Sequence, residues 1–226
     1  MPRDFHVKRL PKYKPLEAAY KWPRAKHVHH GRIKDSHKGI SQLWHLASLS
    51  AVAVNQDYLD EICQLKNLTR LSIDMSTATD FGGLANLKNL KFLKIEFSHR
   101  SSDFSFVRKL PQLEGLYFEH LKKLSNFDFL EELSSIKRLG IEGAVNGTKQ
   151  KLESLKPLGT MKGLEEIYLG GATLYDKDLT YLASCPNLAL FDCGRLAPKK
   201  SFEALRKSMP HLECKYCDEY RHPWER

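Results

Sequence analysis

A ladder of apolar residues restarts seven times between Ile40 and Cys217, and its spacing constrains the fold more than any other feature of the chain. The first rung reads Ile40, Leu43, Leu46, Leu49, Val52, Val54, and the second Ile62, Leu65, Leu68, Leu71, Ile73. Leu84 to Ile95, Leu110 to Phe118, Leu130 to Ile141, Leu155 to Leu169 and Leu179 to Cys193 repeat the pattern, and a degraded last rung holds Leu205, Leu212 and Cys217. With Leu49, Leu68, Leu90, Leu113, Ile136, Leu164, Leu188 and Leu212 taken as equivalent, the step is mostly 22 to 24 residues. A period of that length is the mark of stacked supersecondary units.

Inside each unit the spacing tightens from three to two. A helical or 3₁₀ stretch therefore feeds a short strand whose inward residues alternate with outward ones. In LxxLKNLTRLSI (Leu65 to Ile73) and LANLKNLKFLKI (Leu84 to Ile95) the pattern resembles the leucine-rich repeat family, over roughly Ile40 to Asp218. The resemblance implies an α/β fold: a right-handed solenoid with a parallel concave sheet of about eight to nine strands and short convex helices. It implies a curved binding surface rather than one chemistry. The Asn usual after the strand is replaced by Ser76, Ser98, Leu121, Ala144, Ala172 and Leu196, so irregular loops are expected there.

The chain is read as one domain in four parts. Residues 1–24 form a basic arm, 25–39 a capping strand and turn, 40–220 the repeats with a C-terminal cap, and 221–226 a tail. Val28 and His30 fall at the inward positions of the capping strand, in line with Val52 and Val54. The stretch after Ile141, with its Asn146-Gly147 turn signal, is expected to protrude. Asn146-Gly-Thr148 also spells a glycosylation sequon, but without a secretory signal. No apolar run approaches the roughly 20 residues needed to span a bilayer, and five cysteines, several at ladder positions, suit a reducing compartment. A cytoplasmic location and no membrane contact are the expectations.

Charge is concentrated at one end. Residues 1–40 hold eleven Lys/Arg against three acids, so this segment carries +8 of the chain's net +9 and the repeats are nearly neutral.

Residues alternating with the ladder should project from the sheet into solvent as three columns. The first aligns His27, Ala51, Arg70, Phe92, Gly115, Arg138, Glu166, Leu190 and Cys214; the second His29, Ala53, Ser72, Lys94, Tyr117, Gly140, Tyr168, Asp192 and Tyr216; the third Gly31, Asn55, Asp74, Glu96, Glu119, Glu142, Gly170, Gly194 and Asp218. Four consecutive carboxylates on strands about 4.8 Å apart repel one another, and nothing in the fold requires them. They either splay into water, are neutralised by Arg70, Lys94 and Arg138, form an acidic track for a basic partner or, least favoured, hold a divalent cation. Phe92, Tyr117 and Tyr168 supply the aromatic anchors that interfaces favour.

Other chemistry is weaker. The run His211-Leu-Glu-Cys214-Lys-Tyr-Cys217, with His222 beyond it, offers ligand types zinc accepts, yet it holds a single CxxC and Cys217 sits on the ladder. A redox pair and packed cap cysteines are the other readings of that run. His27, His29 and His30 cluster on the capping strand, where a metal or pH role competes with plain strand histidines. No phosphate loop, HExxH or nucleophile triad is present, so no enzyme, metal or cofactor is expected. The expected function is a non-catalytic module that binds a partner protein on the concave face, as an inhibitor, immunity protein or adaptor, with a basic protein suited to the acidic column. The alternative is nucleic-acid or anionic-surface binding through the N-terminal arm, where Tyr13, Tyr20 and Trp22 interleave with Lys and Arg.

Overall fold

A computed structural model describes residues 26–144 and 147–219. The basic arm, Asn146 of the sequon, His222 and the tail lie outside the described residues. The chain divides into two compact units at Lys123 and Leu124.

The first unit contains five parallel strands, β1 (His27–Gly31), β2 (Ser48–Val52), β3 (Arg70–Asp74), β4 (Phe92–Glu96) and β5 (Gly115–Glu119), each hydrogen-bonded to the next. Their period-two pattern sends Leu49, Ala51, Leu71, Ile73, Leu93, Ile95, Leu116 and Phe118 to one face, where none exceeds 2% exposure. Between the strands run 3₁₀ turns at Ile40–Gln42, Gly82–Asn86 and Ser105–Lys109, and one helix, α1 (Gln56–Ile62), whose cap Asn55 accepts from the Tyr58 amide at 3.2 Å. The LKNL motif has a specific task. Asn67 and Asn89 donate through Nδ2 to the carbonyls of Trp44 and Lys66, one repeat earlier, at 2.8 and 3.0 Å.

The first repeat departs from the sequence reading. Ser48, Leu49, Ser50, Ala51 and Val52 pair with Arg70 through Asp74, so Leu46 rather than Leu49 is equivalent to Leu68. The outward columns pass through Ser48, Ser50 and Val52 instead of Ala51, Ala53 and Asn55, and Val28 and His30 align with Leu49 and Ala51. The error arose because Val52 and Val54 offered a second apolar alternation of the same period. Val54 is also buried, but in the turn beyond the strand.

Ser76, Ser98 and Leu121 are buried after β3, β4 and β5. Ser76 Oγ donates to the Val54 carbonyl at 3.1 Å and accepts from the Ala78 amide at 3.2 Å, doing with a hydroxyl the bridging an amide side chain would do. The residue just past each strand, Ala53, Met75, Phe97 and His120, adopts left-handed backbone with φ of 58°, 52°, 47° and 52°. The repeat thus imposes the same strained turn four times on non-glycine residues.

The second unit carries the parallel strands β6 (Arg138–Glu142), β8 (Glu166–Leu169) and β10 (Leu190–Cys193), with Leu139, Ile141, Ile167, Leu169 and Phe191 buried. The stretch expected to protrude after Ile141 instead contributes β7 (Gln150–Leu152), which pairs in parallel with β9 (Ala172–Leu174) in a small second sheet. The two segments approach closely at Gly143, where a Cβ would stand 2.3 Å from the Gly171 carbonyl oxygen. Buried Gln150 donates to the Leu124 carbonyl at 2.6 Å. Two further helices are α2 (Lys156–Gly159) and α3 (Lys199–Ser208).

Among the described residues the last rung adds no strand beyond β10. It shrinks to one bridge between Leu190 and Glu213, and Lys215–Asp218 coils into a helical turn, α4. Cys214, read as an outward residue, is 1% exposed, while Cys217, read as the ladder position, is partly exposed.

Candidate functional site

The outward face of β3, β4 and β5 gathers most of the expected site residues, but it does not leave them standing in water. Lys94 is 7% exposed, Glu119 7% and Tyr117 1%. The expectation of three solvated columns is corrected at these positions.

Lys94 organises the face. Its Nζ lies 2.7 Å from Glu96 Oε1 and 3.9 Å from Glu119 Oε2, and 5.0 Å above the Tyr117 ring. A single ammonium thereby neutralises part of the carboxylate column and stacks on the aromatic beside it. Arg70 is engaged differently, with its guanidinium 4.1 Å over the Phe92 ring. Next to Lys94 the Glu96 carboxyl meets that of Glu119. Burial holds the Glu96 pKa above the usual carboxylate range, the Lys94 contact opposes that shift, and the Glu119 carboxyl adds to it.

Asp74 is the exception in the column. It is half-buried, its Oδ1 is sealed from solvent, and that atom has no hydrogen-bond partner. Burial, then the Glu96 charge, push its pKa up, partly offset by the Met75 amide. A carboxyl oxygen in this state is costly unless something donates to it.

In the second unit, Tyr168 Oη donates to Glu166 Oε2 at 2.7 Å, and burial followed by that bond raises its pKa. Arg138 and Glu142 are half-buried on β6. Glu142 folds over Gly170, where a Cβ would stand 2.7 Å from its Oε1, so the glycine in the third column makes room for the acid.

The sequence reading missed a row beside the first-unit carboxylates. Met75 (60% exposed), Phe97, His99 and His120 border the column, with His120 packed at 5.4 Å on Phe97 and 5.1 Å on His99. Burial, then His99, lower the His120 pKa. Recurrence of Met75, Phe97 and His120 one place after Asp74, Glu96 and Glu119 was the available signal.

The remaining candidates separate. His30 is buried, accepts or donates at 2.8 Å to Tyr58 Oη, and has its pKa lowered to about 4, mainly by burial; His27 and His29 are exposed. Among the described residues, no group of three or more His, Cys, Asp or Glu is arranged to hold a metal ion, and no helix is long and apolar enough to cross a membrane.

No family model and no curated protein matches the sequence. Solved structures do. An internalin from Listeria monocytogenes aligns at 22% identity over 77% of this chain and 50% of its own, with a TM-score of 0.59. Internalin C2 of the same species aligns at 21% over 69% and 66%, with a TM-score of 0.51. A leucine-rich repeat protein from Leptospira interrogans aligns at 17% over 88% and 56%, with a TM-score of 0.59. The fold is therefore that of the leucine-rich repeat proteins, and the chain spans about half to two thirds of the length of these structures.

Proposed function

We propose that this chain is a non-catalytic binding module that holds a basic segment of a partner protein against the outward face of β3, β4 and β5. The observation that carries the reading is the gathering of the half-buried Asp74 and Glu96 carboxyls and the buried Glu119 carboxyl on one face, with a single ammonium, that of Lys94, facing the latter two. A guanidinium or ammonium from a partner would add countercharge to this face, and carboxylates respond to such pairing more strongly than to neutral donors. Met75, Phe97 and His120 add apolar contact at the border. Their backbone is already fixed, so little ordering entropy opposes binding. Arg138, Glu142 and Tyr168 offer a second acidic and aromatic group on the other unit. An inhibitor, immunity or adaptor role in the cytoplasm, with no catalysis, is the form of activity this reading favours.

Partner capture from the native host, followed by cross-linking and mass mapping, tests it. Carbodiimide cross-links from Asp74, Glu96 or Glu119 of this chain to lysines of a Lys/Arg-rich segment support the reading. Links confined to residues 1–24 favour the alternative, a nucleic-acid or anionic-surface binder acting through the arm, whose affinity would fall steeply with salt.

A further inference from the structure

At the amino ends of its strands the first unit carries a second charged surface, opposite in sign to the carboxylates Asp74, Glu96 and Glu119 at the carboxyl ends. The stretches that return the chain to β3, β4 and β5, residues 63–70, 85–92 and 108–115, hold Lys66, Arg70, Lys88, Lys91, Arg108 and Lys109 against one acid, Glu114. The equivalent stretches of the second unit, 131–138 and 159–166, hold three Lys/Arg against four acids. The excess of cations therefore belongs to these three repeats and is not a property of the motif.

Hydrogen bonds fix the order of the row. Asn67 and Asn89 donate to the carbonyls of Trp44 and Lys66, so Trp44, Lys66 and Lys88 follow one another along this edge, one per repeat. Lys88 Nζ continues the line by donating to the Lys109 carbonyl at 2.9 Å, a neutral acceptor that leaves the charge in place. Lys91 and Glu114 approach to 3.8 Å as an open surface pair, which screens little of the row. Arg70 turns away, onto the Phe92 ring of the outward face. Lys66, Lys88, Lys91, Arg108 and Lys109 are exposed, and at the head of the row stands Trp44, 69% exposed.

Lys26 lies on the same edge, where its carbonyl accepts from the Ala47 and Ser48 amides at 2.9 and 3.0 Å just ahead of β2. Residues 1–25, which precede it, carry seven Lys/Arg against Asp4 and Glu17. The basic stretch of the sequence thus joins the fold at its basic edge.

We propose that this edge, from Trp44 to Lys109, binds single-stranded nucleic acid, with phosphates along the lysine row and a base stacked on the Trp44 ring. Cations that recur with the stacked strands, about 4.8 Å apart at the sheet, suit a linear polyanion whose charge recurs at every nucleotide. An indole open to solvent gives an unpaired base a stacking surface, whereas the bases of a duplex are already stacked on one another. Lysine ammoniums contact phosphates without reading base edges, so the binding is indifferent to sequence. A bilayer surface would call for several apolar side chains beside the cations, and the row supplies Trp44. Since the row and the carboxylates occupy opposite ends of the strands, the chain can hold a nucleic acid and a basic protein segment at once. The inference stands on its own surface and does not depend on that protein partner.

The test mixes the full-length protein with a fluorescein-labelled oligouridylate of about 20 nucleotides and reads anisotropy over a range of salt. Binding that weakens as salt rises is expected. Lys66→Gln, Lys88→Gln and Lys109→Gln combined, all at exposed positions and checked for an unchanged melting transition, should lower the affinity at least tenfold. The slope of log affinity against log salt should become shallower by about 2. Trp44→Ala should lower the affinity by about fivefold or more with that slope unchanged. Asp74→Asn, at the other end of β3, should bind the oligonucleotide as the parent does, which keeps this result separate from the fate of the protein-binding reading. No binding at low salt, equal affinity of the parent and either the triple variant or Trp44→Ala, or retention on phosphatidylserine vesicles without affinity for the oligonucleotide would overturn the proposal.

Discussion

Lys94 and Glu96 are neighbours but one on β4, and their side chains close a 2.7 Å ion pair while keeping only 8% and 18% of their surfaces exposed. Both groups have left most of their water, so their energies are linked to the second carboxylate, Glu119, that also faces Lys94.

The first prediction is non-additivity. Glu96→Gln leaves Glu119 to face Lys94 and removes a repulsion, so stability should change by less than about 1 kcal/mol. Glu96→Gln with Glu119→Gln takes away both carboxylates and should cost about 3 kcal/mol. Urea denaturation of the two single variants and the double variant checks this; simple additivity contradicts the shared-cation arrangement.

The second concerns pH. The folded-state pKa values of Asp74 and Glu96 lie above their unfolded values. Their contribution is fully present below an unfolded pKa of about 4 and is lost as pH rises through the folded values. Relative to the parent, Asp74→Asn should therefore gain melting temperature as pH rises from about 4 to 7. A difference between the two proteins that stays constant with pH would contradict the assigned shifts.

A third prediction separates Tyr117 from a surface anchor. Its ring is 1% exposed, so Tyr117→Ala should destabilise the fold by about 3 kcal/mol through the space it leaves. Leu116→Ala, on the opposite face of β5 and fully buried, should cost about 2 to 5 kcal/mol. Chemical denaturation reads both. A loss below about 0.5 kcal/mol at Tyr117 would return it to the role of an exposed interface ring.

The parallel strands and their inward residues were legible because alternation and repeat length are written directly in Leu71, Ile73, Leu93, Ile95, Leu116 and Phe118. The β2 register was not, since Val52 and Val54 imitate the alternation that Leu49 and Ala51 actually provide. Membership of Asp74, Glu96 and Glu119 in one column followed from strand pairing alone. The burial of Lys94, Glu119 and Tyr117 did not, because it depends on how neighbouring side chains fold over one another across the face.

Affinity of the captured partner for the parent protein and for Asp74→Asn, measured by calorimetry at low and high salt, tests the central claim most directly. Replacing the carboxyl by a carboxamide removes the negative charge that a basic side chain would pair with while keeping the size of the group. The account predicts at least a tenfold loss at low salt that shrinks as salt rises. Equal affinity of the two proteins at low salt would show that the partner does not dock on the β3 to β5 face.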